Sequence, residues 1–143
     1  MRIYLDVCCL GRPFDNQEQD KVYLEGEAIL RILENCKEGS WSLVSSPVVD
    51  FEINQIKDEE RRKQLRTLAE MAKEKLESAE EIKKRAKELE NNGIKAFDAS
   101  HLAFAEAGKV DYFFTTDSRF LKKAKTVAQI KVMNPLEWYG KGE

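Results

Sequence analysis

The sequence predicts an α/β fold: a three-layer α/β/α arrangement around a short central parallel sheet, with a helical hairpin inserted partway along. Three observations predict it. Short apolar runs recur along the chain, several of them bounded by Gly, Pro, Asn or Asp. Segments with helical spacing of apolar residues separate these runs, and alternating strands and helices build a parallel sheet with helices on both faces. A chain of 143 residues with 42 % apolar content suffices for one core, and is read as one domain over residues 1–143.

The elements follow in order. Residues 2–7 (Arg2-Ile3-Tyr4-Leu5-Asp6-Val7) read as a short buried strand, followed by a polar loop over 11–16. Residues 18–37 are helical, with Val22, Ile29, Ile32, Leu33 and Cys36 on one face and Gly39 as the stop. Residues 41–45 form the second strand, and Ser46 as N-cap with Pro47 at the first helical position opens the next helix.

Residues 57–91 carry 21 of the chain's 50 charged residues. Leu65, Leu68, Ala72, Leu76, Ala79, Ile82, Ala86 and Leu89 form one apolar stripe with a period of about 3.5, supported by the i,i+4 pairs Glu80/Lys84 and Glu81/Arg85. Ser78-Ala79-Glu80-Glu81 matches a capping box, so a two-helix hairpin and one long rod both satisfy the pattern. The basic run Lys83-Lys84-Arg85 reads as a solvated face. Asn91-Asn92-Gly93 breaks the chain; a helix over 98–108, a strand over 111–115, a helix over 118–125, a strand over 130–133 and a turn from Pro135 carrying Trp138 complete the order.

Charge and composition exclude several classes. Lys plus Arg is 24 and Asp plus Glu is 26, a net charge of −2, which excludes a strongly basic wrap for nucleic acid and leaves only local patches. No apolar run approaches the ~20 residues that span a bilayer, and Asp6 interrupts the N-terminal run, so neither membrane span nor leader is expected. Cys8 and Cys9 are adjacent, Cys36 is distant and no C-x-x-C occurs; this argues against a disulfide framework or zinc finger and for a cytoplasmic setting. Cys8 and Cys9 read as core or strand-end fillers. Neither G-x-G-x-x-G nor a P-loop is present, and no Cys is followed six residues later by Arg, which excludes nucleotide-binding motifs and cysteine phosphatases.

What remains is a set of carboxylates at strand ends, where ligands gather in open α/β sheets. Asp6 closes the first strand inside an apolar run, and a carboxylate there must be paired or bind a cation. Glu52, flanked by Val48, Val49 and Ile56 at helical spacing, sits beside a buried face; Asp50 has more polar neighbours. Asp98 opens the helix before the third strand and Asp117 follows that strand directly; taken singly, each also reads as an N-cap. Brought together, carboxylates repel and raise one another's pKa, which a hard divalent cation relieves. An all-acid site with no Cys or His ligand suits Mg²⁺ or Mn²⁺.

Leu5-Asp6, the helical Glu52, Phe97-Asp98-Ala99-Ser100-His101-Leu102-Ala103 and Thr115-Thr116-Asp117-Ser118-Arg119-Phe120 resemble, in order, the four acidic motifs of the PIN domain, and the resemblance runs over essentially the whole chain. At this size it resembles the toxin half of VapBC toxin–antitoxin pairs. The resemblance implies a Mg²⁺- or Mn²⁺-dependent endoribonuclease, often a homodimer, inhibited by a separate antitoxin. It implies that Asp6, Glu52, Asp98 and Asp117 are catalytic, with Asp6, Asp98 and Asp117 as metal ligands. Hydrolysis is expected to leave 5′-phosphate and 3′-hydroxyl ends. Arg12, Thr116 and Arg119 are candidate substrate-binding residues, with Lys122 and Lys123 nearby; Arg12 reads equally as a local ion pair with Asp15, and Thr116 as a helix-start hydrogen bond. His101 reads as a packed histidine or a proton shuttle. The stripe over 65–89 or the terminal helix is the expected homodimer contact. The other reading is a catalytically weak PIN module that binds RNA or a protein partner. A phosphotransfer domain of the receiver or haloacid-dehalogenase type is disfavoured, because Asp6-Val7-Cys8 lacks the second acid of D-x-D.

Overall fold

The N-terminal apolar run becomes the centre of a sheet. In a computed structural model, which describes residues 1–139, β1 (Arg2–Leu5) is flanked on one side by β2 (Ser42–Ser45) and β3 (Glu74–Lys75), and on the other by β4 (Tyr112–Phe114) and β5 (Lys131–Met133). Residues 140–143 lie outside the described residues. All pairings are parallel and the order is β3-β2-β1-β4-β5, with Ile3 opposite Leu43 and Tyr4 opposite Phe113. Ile3, Tyr4 and Leu5 are buried, as a central strand of a covered parallel sheet must be. The chain leaves β1 toward β2 on one side and returns to β4 on the other. This switch opens a crevice at the carboxyl ends of β1 and β4, where the residues after both strands emerge.

Among the described residues eight helices connect and cover the strands: α1 (Val7–Gly11), α2 (Asp20–Glu38), α3 (Pro47–Asn54), α4 (Glu59–Ala69), α5 (Glu80–Asn91), α6 (Ala96–Ala107), α7 (Ser118–Val127) and α8 (Pro135–Tyr139). Ala28, Ile29, Ile32, Leu33 and Cys36 turn α2 into the core, and Gly39 ends it at φ 91°, a left-handed conformation that favours glycine. Phe113 stacks on Tyr4 at 5.1 Å between ring centroids and meets Phe120 edge-on. Among the described residues no helix is long and apolar enough to cross a membrane.

Several local expectations change. The first strand stops at Leu5, because Asp6 turns out of the sheet to cap α1; its Oδ1 accepts from the Cys9 N–H at 3.0 Å. The polar loop after it is partly a 3₁₀ turn over Arg12–Phe14. The charged stretch is not a rod. It is two helices separated by β3, which joins the sheet edge with Val44 opposite Glu74; both β3 side chains are exposed, so no apolar pattern announced it. The helical pair is α5 packed against α6. Within the stripe, Leu65, Ile82, Ala86 and Leu89 are buried in the chain's own core, which removes these residues as a homodimer surface. The capping box is out of register: α5 starts at Glu80 with Ala79 at its N-cap and no side-chain cap.

Arg85 corrects both the solvated basic run and its i,i+4 pairing. It grips buried Glu106 bidentately at 2.7 and 3.2 Å and donates to the Val127 carbonyl at 2.8 Å, while Glu106 also accepts from the Gln129 N–H. Lys83 reaches Glu80 at 3.8 Å instead of leaving that acid to Lys84. The helix before β4 starts at Ala96, two residues before Asp98, so Asp98 lies in its first turn and Lys95 takes the cap position.

Candidate active site

The crevice at the ends of β1 and β4 gathers the acids. Asp6 is buried, held at the strand end by its cap bond and by the Cys8 thiol, which donates to Oδ1 at 2.9 Å. Burial pushes its carboxyl well above the ordinary range. Asp117 caps α7, accepting from the Phe120 N–H at 3.1 Å, while its own N–H is donated to Thr115 Oγ1 at 3.1 Å. It is exposed, so the cap bond does not exclude a site role.

Asp98 reports the convergence. Its carboxyl is pushed up to about 6, first by burial and then by the negative charges of Asp6, Asp117 and Glu52, with His101 opposing. Residues up to 92 positions away from Asp98 along the sequence therefore stand within electrostatic range of its carboxylate. Asp50, the competitor of Glu52, points elsewhere, into an ion pair with Lys75 at 2.5 Å.

Glu52 is held by groups the sequence reading did not assemble. His101 Nε2 lies 2.7 Å from Glu52 Oε1, His101 Nδ1 lies 2.6 Å from the Tyr4 hydroxyl, and that hydroxyl lies 2.7 Å from Ser46 Oγ. Ser46 is the N-cap of α3, but its side chain serves Tyr4 and makes no cap bond. The signal was present in the sequence: a tyrosine inside a buried strand needs a partner for its hydroxyl.

A cationic rim adjoins the acids. Lys95, Arg119 and Lys123 line an open pocket of about 90 Å³ together with Asp98 and Asp117; Lys123 also donates to the Gly93 carbonyl at 2.9 Å. Lys95 was missed because its place depends on how α6 starts. Thr116 is buried, and its Oγ1 has no hydrogen-bond partner among the described residues. Arg12 lies in the local ion pair with Asp15 at 3.1 Å, and its Nε stands 2.9 Å from Oε1 of fully buried Glu25. The Glu25 contact lacks hydrogen-bond alignment and acts as charge attraction. With its guanidinium so engaged, Arg12 is a poor free hand for substrate.

The donor set fits a hard divalent cation. It offers carboxylate oxygens whose mutual repulsion a cation relieves, and an orphaned buried hydroxyl from the segment that carries Asp117. Among the described residues no three His, Cys, Asp or Glu side chains close on one point, so these acids face one another without forming a finished cage.

Comparison with known proteins agrees with this architecture. A family model described as PIN domain matches residues 3–126. The structure of VapBC2 from Rickettsia felis bound to a DNA fragment from their promoter is similar at a TM-score of 0.61 and 16 % identity, covering 94 % of this chain and 98 % of that one. VapBC-1 from nontypeable Haemophilus influenzae is similar at 0.61 and 14 % identity, covering 95 % and 99 %. PAE2754 from Pyrobaculum aerophilum is similar at 0.55 and 14 % identity, covering 99 % and 90 %. A search of the curated proteins finds no match.

Proposed function

The chain belongs to the PIN domain family, and from that premise we propose that it is a Mg²⁺- or Mn²⁺-dependent endoribonuclease, the toxin of a VapBC-type pair. The observation that carries this reading is the Asp98 carboxyl, raised to about 6 amid Asp6, Asp117 and Glu52 and beside a cationic rim. Asp6, Asp98 and Asp117 would hold the cation, and Glu52 completes the acid set. When bound, the cation supplies phosphate charge neutralisation and an acidified water for hydrolysis to 5′-phosphate and 3′-hydroxyl ends. Arg119, with Lys95 and Lys123, attracts the RNA backbone, and Thr116, whose buried hydroxyl is unpartnered among the described residues, is the candidate contact from the segment that carries Asp117. The structural likeness to two VapBC assemblies supports an antitoxin as the protein partner. The proposal includes a homodimer whose contact lies outside the buried part of the 65–89 stripe.

The test is RNA cleavage by antitoxin-free protein with Mn²⁺ and with Mg²⁺. Wild type cleaves, while Asp6→Asn and Asp98→Asn fold and do not. Absence of cleavage by wild type under both metals, or a 2′,3′-cyclic phosphate product, overturns the reading. The open arrangement of the acids is the one observation favouring the second reading, a PIN module that binds RNA or a partner without cutting. RNA retention on a filter without cleavage would select it.

A further inference from the structure

We propose that Tyr4 and His101 are positioning residues, forming with Ser46 a one-way relay that fixes the Glu52 carboxylate beside the other acids. The assignment of roles follows from donors and acceptors. An ionised carboxylate only accepts, so the 2.7 Å contact requires the proton on His101 Nε2. A neutral imidazole protonated there leaves Nδ1 as acceptor, and the Tyr4 O–H donates to it at 2.6 Å. The Tyr4 oxygen in turn accepts from the Ser46 O–H at 2.7 Å. Each group donates onward, and the last acceptor is Glu52.

The asymmetry of burial separates positioning from core upkeep. Tyr4 and His101 are fully buried, whereas the Glu52 side chain is 32 % exposed. A half-exposed carboxylate finds water without help and does not need a buried partner. Two polar side chains placed in the core to hold it restrict its rotamer and set where its charge sits. The relay also crosses the fold: Tyr4 is on β1, Ser46 and Glu52 are at the start and within α3, and His101 is on α6. It therefore ties three elements that carry or precede acids to one carboxylate. The functional part of this proposal rests on the nuclease reading; the relay itself does not.

The test uses the full chain and two readouts. Nitrogen-15 spectra of the imidazole show one neutral tautomer, protonated at Nε2, in wild type, and in Tyr4→Phe, which keeps the ring stacked on Phe113, the Nδ1 resonance moves toward that of a ring nitrogen with no hydrogen-bond donor. In Mn²⁺-supported RNA cleavage, Tyr4→Phe lowers kcat about tenfold with KM within about twofold, as misplacement of a catalytic group predicts. His101→Gln, whose amide donates at similar reach, retains more kcat than His101→Ala at equal folded fraction. A wild-type tautomer protonated at Nδ1 overturns the relay. An unchanged kcat in Tyr4→Phe beside an active wild type overturns its role in positioning. If wild type cleaves nothing, the nuclease reading fails, and the nitrogen-15 spectra of wild type and Tyr4→Phe alone decide the relay.

Discussion

Replacing Asp98 with Asn stabilises the protein at neutral pH while abolishing its response to divalent cations. The magnitude follows from the carboxyl raised to about 6 from the ordinary 3.8. A shift of about 2 units corresponds to roughly 3 kcal/mol at most, and partial exposure of the side chain trims this to about 1–2 kcal/mol. The first-turn position opposes the gain, since a negative charge at a helix N-terminus is worth about 0.5 kcal/mol there. The net gain is about 1 kcal/mol, or roughly 3–4 °C in Tm for a chain of this size. Among the described residues the Asp98 carboxylate makes no hydrogen bond that Asn would forfeit. The sign is set by linkage: the folded state binds the proton more tightly than the unfolded state, so this contribution is fully present below about pH 4 and lost as pH rises through about 6. Thermal unfolding of wild type and Asp98→Asn at pH 4 and pH 7.5 therefore shows a gap only at the higher pH. Millimolar Mn²⁺ raises the wild-type Tm at pH 7.5 and leaves that of Asp98→Asn unchanged. A variant that melts at or below wild type at pH 7.5 would refute the claim that burial and the neighbouring acids disfavour the charged form of Asp98.

Three further outcomes are expected. Glu106→Ala loses about 2–4 kcal/mol in urea unfolding, because Arg85 and the Gln129 N–H are left without their acceptor; a coupling energy near zero in the Arg85/Glu106 double-mutant cycle would contradict the bidentate pair. Phe113→Ala, at the fully buried meeting of Tyr4 and Phe120, loses about 3–5 kcal/mol by the same measurement, and a loss under about 1 kcal/mol would contradict tight packing there. Arg119→Ala and Lys95→Ala each raise KM for RNA about 3–10-fold with kcat within about twofold, and KM becomes less sensitive to salt; equal KM across the variants at low salt would remove the rim from the substrate path.

The sequence by itself determined what depends on neighbours along the chain. Residue spacing placed α2 and α7 within a few residues of their observed ends, Pro47 marked the start of α3, Gly39 marked a stop, and the alternation of strands and helices required a parallel sheet. The same local logic put acids after β1 and β4: a carboxylate inside an apolar run, as Asp6 is, needs a partner or a cation, whereas Asp117 reads as the helix cap that it also is. What the tertiary structure alone decided is partnership. Sheet order, the two-residue strand β3, the turn of Arg85 onto Glu106, the engagement of Arg12 by Glu25, and the line from Tyr4 through His101 to Glu52 each join residues far apart in sequence. A polar side chain advertises that it needs a partner when buried, but its own sequence context does not say which one. That choice is made by the packing of strands and helices, which decides which donors and acceptors are desolvated together.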